Sequence, residues 1–130
     1  MARPIAFALI ALGACAPHVR PPPESADRDI PFAAYELYPE GVAFDPTTGG
    51  FFVGSLRHGT IGRVMRDGTY RPFTAPGPLV STQGIAVDLV RRRVLLVGGD
   101  LGVGVRTSAE TLERQAGLAL YALDTGALIR

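Results

Sequence analysis

Lysine and asparagine are absent from this 130-residue chain, and cysteine occurs once, at Cys15. All 13 basic residues are therefore arginine, set against 12 acidic ones for a net charge of +1. That balance excludes a protein that holds nucleic acid through a basic surface. With Ala, Gly and Pro abundant, the use of Arg without Lys reads as a GC-rich coding bias, not as a phosphate-binding signal. A single cysteine excludes an internal disulfide. The leading apolar run, Ile5 to Leu12, falls far short of the roughly 20 residues a membrane-spanning helix needs. A hydrophobic share of 47% nonetheless belongs to a folded protein, not a disordered one.

That apolar run follows one charge, Arg3, and reads as a secretion signal over residues 1–14. Its end, Leu12-Gly13-Ala14-Cys15, resembles the bacterial lipobox, in which a small residue precedes a cysteine that is lipidated and becomes N-terminal after cleavage. The resemblance implies a lipid on Cys15 and a membrane partner in the cell envelope. Ordinary cleavage after Ala16, giving a periplasmic or secreted protein, is the alternative. It leaves Pro17 beside the cut, where a fixed φ and a missing N–H suit a peptidase badly. An exported chain whose lone cysteine stands here fits an anchor better than a redox role. Residues 15–34, with Pro21-Pro22-Pro23 and then Glu24, Ser25, Asp27, Arg28 and Asp29, are expected to form an extended tether.

A motif then occurs twice. Pro39-Glu40-Gly41-Val42-Ala43-Phe44-Asp45 is answered 43 residues later by Thr82-Gln83-Gly84-Ile85-Ala86-Val87-Asp88, and each copy leads to a bulky apolar run, Phe51-Phe52-Val53-Gly54 and Leu95-Leu96-Val97-Gly98. Short strand-like runs repeated at this period, with Thr47-Thr48-Gly49-Gly50 and Arg66-Asp67-Gly68-Thr69 as turns, are the pattern of β-propeller blades. The first blade, about 40–75, predicts strands near 41–45, 50–55, 60–66 and 69–74, with Pro72 holding the last at an edge. The second, about 83–130, predicts strands near 84–88, 93–98 and 117–123, and a fourth beginning near Ala127. The sequence stops at Arg130 inside that strand, so a truncated chain or a fragment without activity of its own is one expectation. Two blades do not close a ring, which needs about four or more. Six large apolar side chains left bare on an end blade would forgo about 9–18 kcal/mol, more than the net stability of a typical domain. Self-association, with open blade edges adding to it, is therefore expected.

The run Tyr38-Pro39-Glu40-Gly41-Val42-Ala43-Phe44-Asp45-Pro46, continuing through Phe51-Phe52-Val53-Gly54-Ser55 to Gly59-Thr60-Ile61, resembles the opening blade of bacterial senescence-marker/gluconolactonase-like proteins. Tyr121-Ala122-Leu123-Asp124-Thr125-Gly126-Ala127-Leu128 resembles the end of their next blade. The resemblance covers residues 35–130 and implies an all-β, six-bladed propeller, of which this chain holds two blades. It further implies a metal-dependent hydrolase of a lactone, a sugar-derived ligand or a similar ester when full length, using a divalent cation, Ca or Zn. A non-catalytic envelope propeller that binds a ligand or protein is the alternative.

Within that resemblance, Glu40 matches the Glu-Gly whose carboxylate is a metal ligand at the start of the first inner strand. A hard cation takes about 6–8 oxygens, so carboxylates converging from several blades suit it. Gln83 stands at the repeat-equivalent position with a weaker amide oxygen. The Asn and Asp ligands that the family draws from later blades are not in this chain, so the site is expected to be incomplete. In a meander, Glu40 and Gln83 share the channel mouth with the Ser55–Gly59 and Gly99–Ala116 loops. His58, as a base or a plain turn residue, and Asp100 are therefore further mouth candidates. Thr107 or Ser108 is expected to cap a short helix in the long loop, which either roofs the mouth or is a surface excursion. Gly98-Gly99-Asp100-Leu101-Gly102 lacks the Lys-Ser/Thr ending of a phosphate loop. Arg91-Arg92-Arg93 falls at the opposite end, as a solvated turn or a contact to anionic lipid. The anchor reading predicts that the intact mass of the envelope-derived protein fits a chain starting at Cys15 plus a lipid-sized increment; a start at Pro17 would remove the anchor.

Overall fold

The computed structural model describes residues 29–130; the leader, Cys15 and the front of the tether lie outside the described residues. Seven strands follow in order: β1 (Pro39–Asp45), β2 (Gly50–Ser55), β3 (Ile61–Val64), β4 (Tyr70–Pro72), β5 (Ser81–Asp88), β6 (Arg93–Gly99) and β7 (Ala116–Ala122). They form two antiparallel meanders, a four-stranded sheet β1-β2-β3-β4 and a three-stranded sheet β5-β6-β7. No helix occurs among the described residues. In place of the fourth strand expected from near Ala127, the second sheet has a single isolated bridge between Tyr121 and Leu128.

Strand ends differ from the sequence expectation for reasons of hydrogen bonding. β5 begins at Ser81 because the ladder continues through a bulge. β3 stops at Val64 because the Met65 amide turns to donate to the Thr69 carbonyl (2.9 Å). β4 ends at Pro72 because the Phe73 and Thr74 amides both donate to the Ile61 carbonyl (3.0 and 3.1 Å). The last residues of the expected tether are part of the folded body, since Ile30 and Ala34 pack with buried Leu37, Val53 and Val64.

Alternation gives each sheet two apolar faces. In the first sheet, Phe52 and Ile61 point toward the second sheet and are wholly buried with Val94, Leu96, Ala119 and Tyr121. Val42, Phe51, Val53 and Val64 lie on the opposite face. Leu79 and Phe73, from the segment joining the sheets, complete the shared core. The first strands run side by side because a Cβ on Gly41 would overlap the Gln83 carbonyl oxygen, and only glycine permits that approach. Gly41 is also the residue left out of register between Glu40 and Val42, at φ +73°, the geometry of a glycine bulge. In the second sheet the bulge falls at Gln83, between Thr82 and Gly84.

One ion pair lies within this interface. The Arg63 Nε stands 2.8 Å from an Asp45 oxygen, and Asp45 is fully buried. The guanidinium sits 4.9 Å from the Phe52 ring centre and 4.5 Å from that of Phe73. Burial alone would raise the Asp45 pKa, but donation from the Thr47 and Thr48 hydroxyls and the Thr47 amide, with the Arg63 charge, holds it below 3.8. A depressed carboxylate pKa contributes stability above its unfolded value and loses it as pH falls through the folded value. The fold is therefore expected to keep this contribution above pH 4 and to weaken in stronger acid. Phe52→Ala, which empties the centre of the interface, is expected to cost about 3–5 kcal/mol, read as a lowered midpoint in urea unfolding.

Candidate functional site

The ladders bring the sequence candidates to one end of the sheets. Pro39 pairs with Ser55 and Ser81 with Gly99, so β1 and β5 begin where β2 and β6 finish. Glu40 is exposed and pairs with Gly54. Gln83 is half-buried and is itself the bulge residue, its carbonyl pressed against Gly41. The two residues match in sequence but not in register: Glu40 sits in its ladder, and Gln83 is displaced from its own. Between them, Thr82 is wholly buried beside Gly54, and its hydroxyl has no hydrogen-bond partner among the described residues.

The two loops expected at this end touch. The Val105 amide donates to the Arg57 carbonyl (2.8 Å), and the Arg57 guanidinium donates to the Val103 carbonyl (3.1 Å). Arg106 reaches the connecting segment, donating to the carbonyls of Gly77 (2.7 Å) and Leu79. The Ser55–Gly59 turn is held by a buried hydroxyl. Ser55 Oγ donates to the Leu37 carbonyl (2.6 Å) and accepts from the His58 amide (2.9 Å). His58 lines a cavity of about 350 Å³ with Tyr35, Leu37, Tyr70 and Thr74. Glu40, Gln83 and Asp100 are absent from its wall, so the structure does not join His58 to the other candidates.

Asp100 is turned into the long loop. Only 1% of it is exposed, and its carboxylate accepts from the Thr107 hydroxyl (2.7 Å), the Thr111 hydroxyl (2.7 Å) and the Gly102 amide (2.9 Å). Burial pushes its pKa up, but these donors outweigh burial and hold it below 3.8. With every oxygen engaged by its own loop, Asp100 organises that loop and presents no free carboxylate. The short helix expected after a Thr107 or Ser108 cap is replaced by successive turns, and Glu113 turns to φ +56°. Sequence reading missed Arg57, Arg106 and the Asp100–Thr107–Thr111 cage; the spacing of one acid with two later threonines was the available sign.

The Arg91-Arg92-Arg93 turn lies at the other end. Arg91 and Arg93 pair with Asp88 (3.3 and 3.0 Å), and Arg92 pairs with Asp124. These guanidiniums neutralise neighbouring carboxylates at the surface.

Among the described residues, no three His, Cys, Asp or Glu side chains converge in a group able to hold a metal ion. One exposed carboxylate at Glu40 and one amide at Gln83 do not meet the 6–8 oxygens of a calcium site, nor the three protein ligands of a catalytic zinc. The residues described therefore do not fit a complete metal centre. Comparisons with protein-family models, with curated proteins and with solved structures each find no match.

The loop geometry makes its own prediction. Asp100→Asn replaces an oxygen that accepts hydroxyl bonds with an amide that cannot, and is expected to speed tryptic cleavage at Arg106 and Arg114 while Phe52 and its neighbours stay packed. Wild-type protein should show the same loosening only below about pH 4, since the depressed Asp100 pKa confines its protonation to acid.

Proposed function

We propose that residues 39–130 are two consecutive blades of a β-propeller that resembles the gluconolactonase-like family, carried by an exported, lipid-anchored protein of the cell envelope. The observation behind this reading is the stacking of two equivalent meanders, front to back, with their glycine-associated bulges in contact at Gly41 and Gln83. On this reading β1 and β5 line the channel, and the end carrying Glu40 is its mouth. The chain supplies part of the wall and one mouth carboxylate. Hydrolysis of a lactone or related sugar-derived ester, with a divalent cation such as Ca or Zn, belongs to a completed ring in which other blades bring further oxygens.

A second reading, a non-catalytic propeller that binds a ligand or protein at the same mouth, is favoured by one observation: no acidic cluster converges among the described residues. The two separate by assay of the envelope-derived protein on a small aldonolactone. For the hydrolase, hydrolysis is abolished by a chelator, restored by Ca or Zn, and lowered at least about 10-fold by Glu40→Gln. Hydrolysis that Glu40→Gln leaves unchanged removes Glu40 as a ligand. Wild-type protein without chelator-sensitive hydrolysis leaves the binding reading.

A further inference from the structure

The contact between the two sheets is a pattern that each outer face is built to repeat. The 43-residue equivalence places Ala86, Leu95 and Val97 where Ala43, Phe52 and Gly54 stand. The ladders match Leu118 and Leu120 of β7 to Ile61 and Arg63 of β3. Thus the outer face of the second sheet is the counterpart of the first sheet's contact face. Ile61 is fully buried in the existing contact, whereas its counterpart Leu118 is 54% exposed and neighbouring Val97 is 48% exposed.

The far face of the first sheet is the matching half. Val42, Phe44, Phe51 and Val53 correspond to Ile85, Val87, Val94 and Leu96, the residues that receive Phe52 in the existing contact. Val42 is 66% and Phe44 50% exposed. Residues 30–37 cover the rest of this face, and they do so as the segment joining the sheets covers its own. Gly68 abuts the Pro31 carbonyl as Gly126 abuts the Phe73 carbonyl, and Ile30 packs on the first sheet as Phe73, 43 residues on, packs at the shared core. The front segment is thus folded as though a sheet already stood beyond it.

We infer that copies of this chain associate head to tail, the outer face of the second sheet in one copy seating on the Val42–Phe44 face of the first sheet in the next. The occupant is a second copy because both halves of a contact already formed within the chain recur on it, left exposed among the described residues at Val97 and Leu118 on one side and at Val42 and Phe44 on the other. The contact uses sheet faces, not strand edges. It is heterologous, so it closes only as a ring. The number of copies rests on the six-bladed reading proposed above, which requires three.

The test is the solution mass of the full chain in mild detergent, by light scattering and native mass spectrometry. A discrete species of three protomers is expected. Leu118→Arg breaks one half of the contact and Phe44→Arg the other, so each variant alone is expected to run as a monomer with an unchanged β-sheet circular dichroism spectrum. Mixed, the two are expected to form a one-to-one dimer and nothing larger, because each retains the half the other has lost. Val97→Arg is expected to act as Leu118→Arg does, and Val90→Arg, on an exposed turn, to leave the trimer intact. A monomeric wild type, or a variant mixture that stays monomeric while both variants keep their sheets, overturns the inference. A closed dimer or tetramer whose variants still complement keeps the face pairing and overturns the six-bladed reading instead.

Discussion

Gly41 sets how near β1 can lie to β5, because any side chain there would strike the Gln83 carbonyl. That spacing governs the remainder of the contact. With the first strands touching, Phe52 and Ile61 reach Val94, Leu96 and Tyr121 without a gap, and the apolar surface withdrawn from water supplies the driving force. The same spacing brings the loops that follow β2 and β6 within reach of each other, so that the Arg57 carbonyl can meet the Val105 amide. The loops at the Glu40 end are thus arranged from below, by strand packing, before any loop side chain contributes. Their own ties, at Ser55, Asp100 and Arg106, fasten what the glycine has brought into range.

Much of this was legible in the chain, for identifiable reasons. Strand alternation and turn glycines are local, so the two meanders and their turns could be read from Gly41 to Gly54 and again from Gly84 to Gly98. The shared end of Glu40, Gln83 and the two loops followed from reversal of direction alone. The bulge could not be read, because whether Gly41 or Gln83 leaves the ladder is settled by the partner strand. Asp100 was located but not understood, since its partners at Thr107 and Thr111 are gathered by the fold of the loop. The short helix expected there is a run of turns instead, with Glu113 at positive φ, a conformation that the residue types do not announce. Ile30 and Ala34 looked like tether because their partners, Val53 and Tyr70, lie across the sheet.

The two repeats are alike in shape and unlike in chemistry. Arg63 of β3 is matched by Leu120 of β7, so the position that holds an arginine against the shared core in one sheet holds a leucine in the other. Asp45 keeps its counterpart in Asp88, but Asp45 is buried against Arg63 while Asp88 pairs with surface arginines. A buried pair of this kind adds less to net stability than to orientation, because desolvation consumes much of the attraction. Here Arg63 packs on both the Phe52 and the Phe73 rings, which touch each other with centroids 4.9 Å apart, so it contacts the linker as well as the sheet.

Each strand pairs only with its neighbour in sequence, and that order bears on how the molecule comes into being. Short chain closures are inexpensive in entropy, so β1 to β4 can assemble as a unit while β5 is still unmade. In that interval Phe52 and Ile61 face water with no partner. The second hairpin, β5 and β6, closes through a four-residue turn at Leu89–Arg92 and can follow quickly, whereas β7 must wait for the loop from Asp100 to Gln115 to be spanned. β7 is thus the strand whose pairing closes the longest loop, and until it pairs β6 presents an open edge of the kind that invites pairing with another chain.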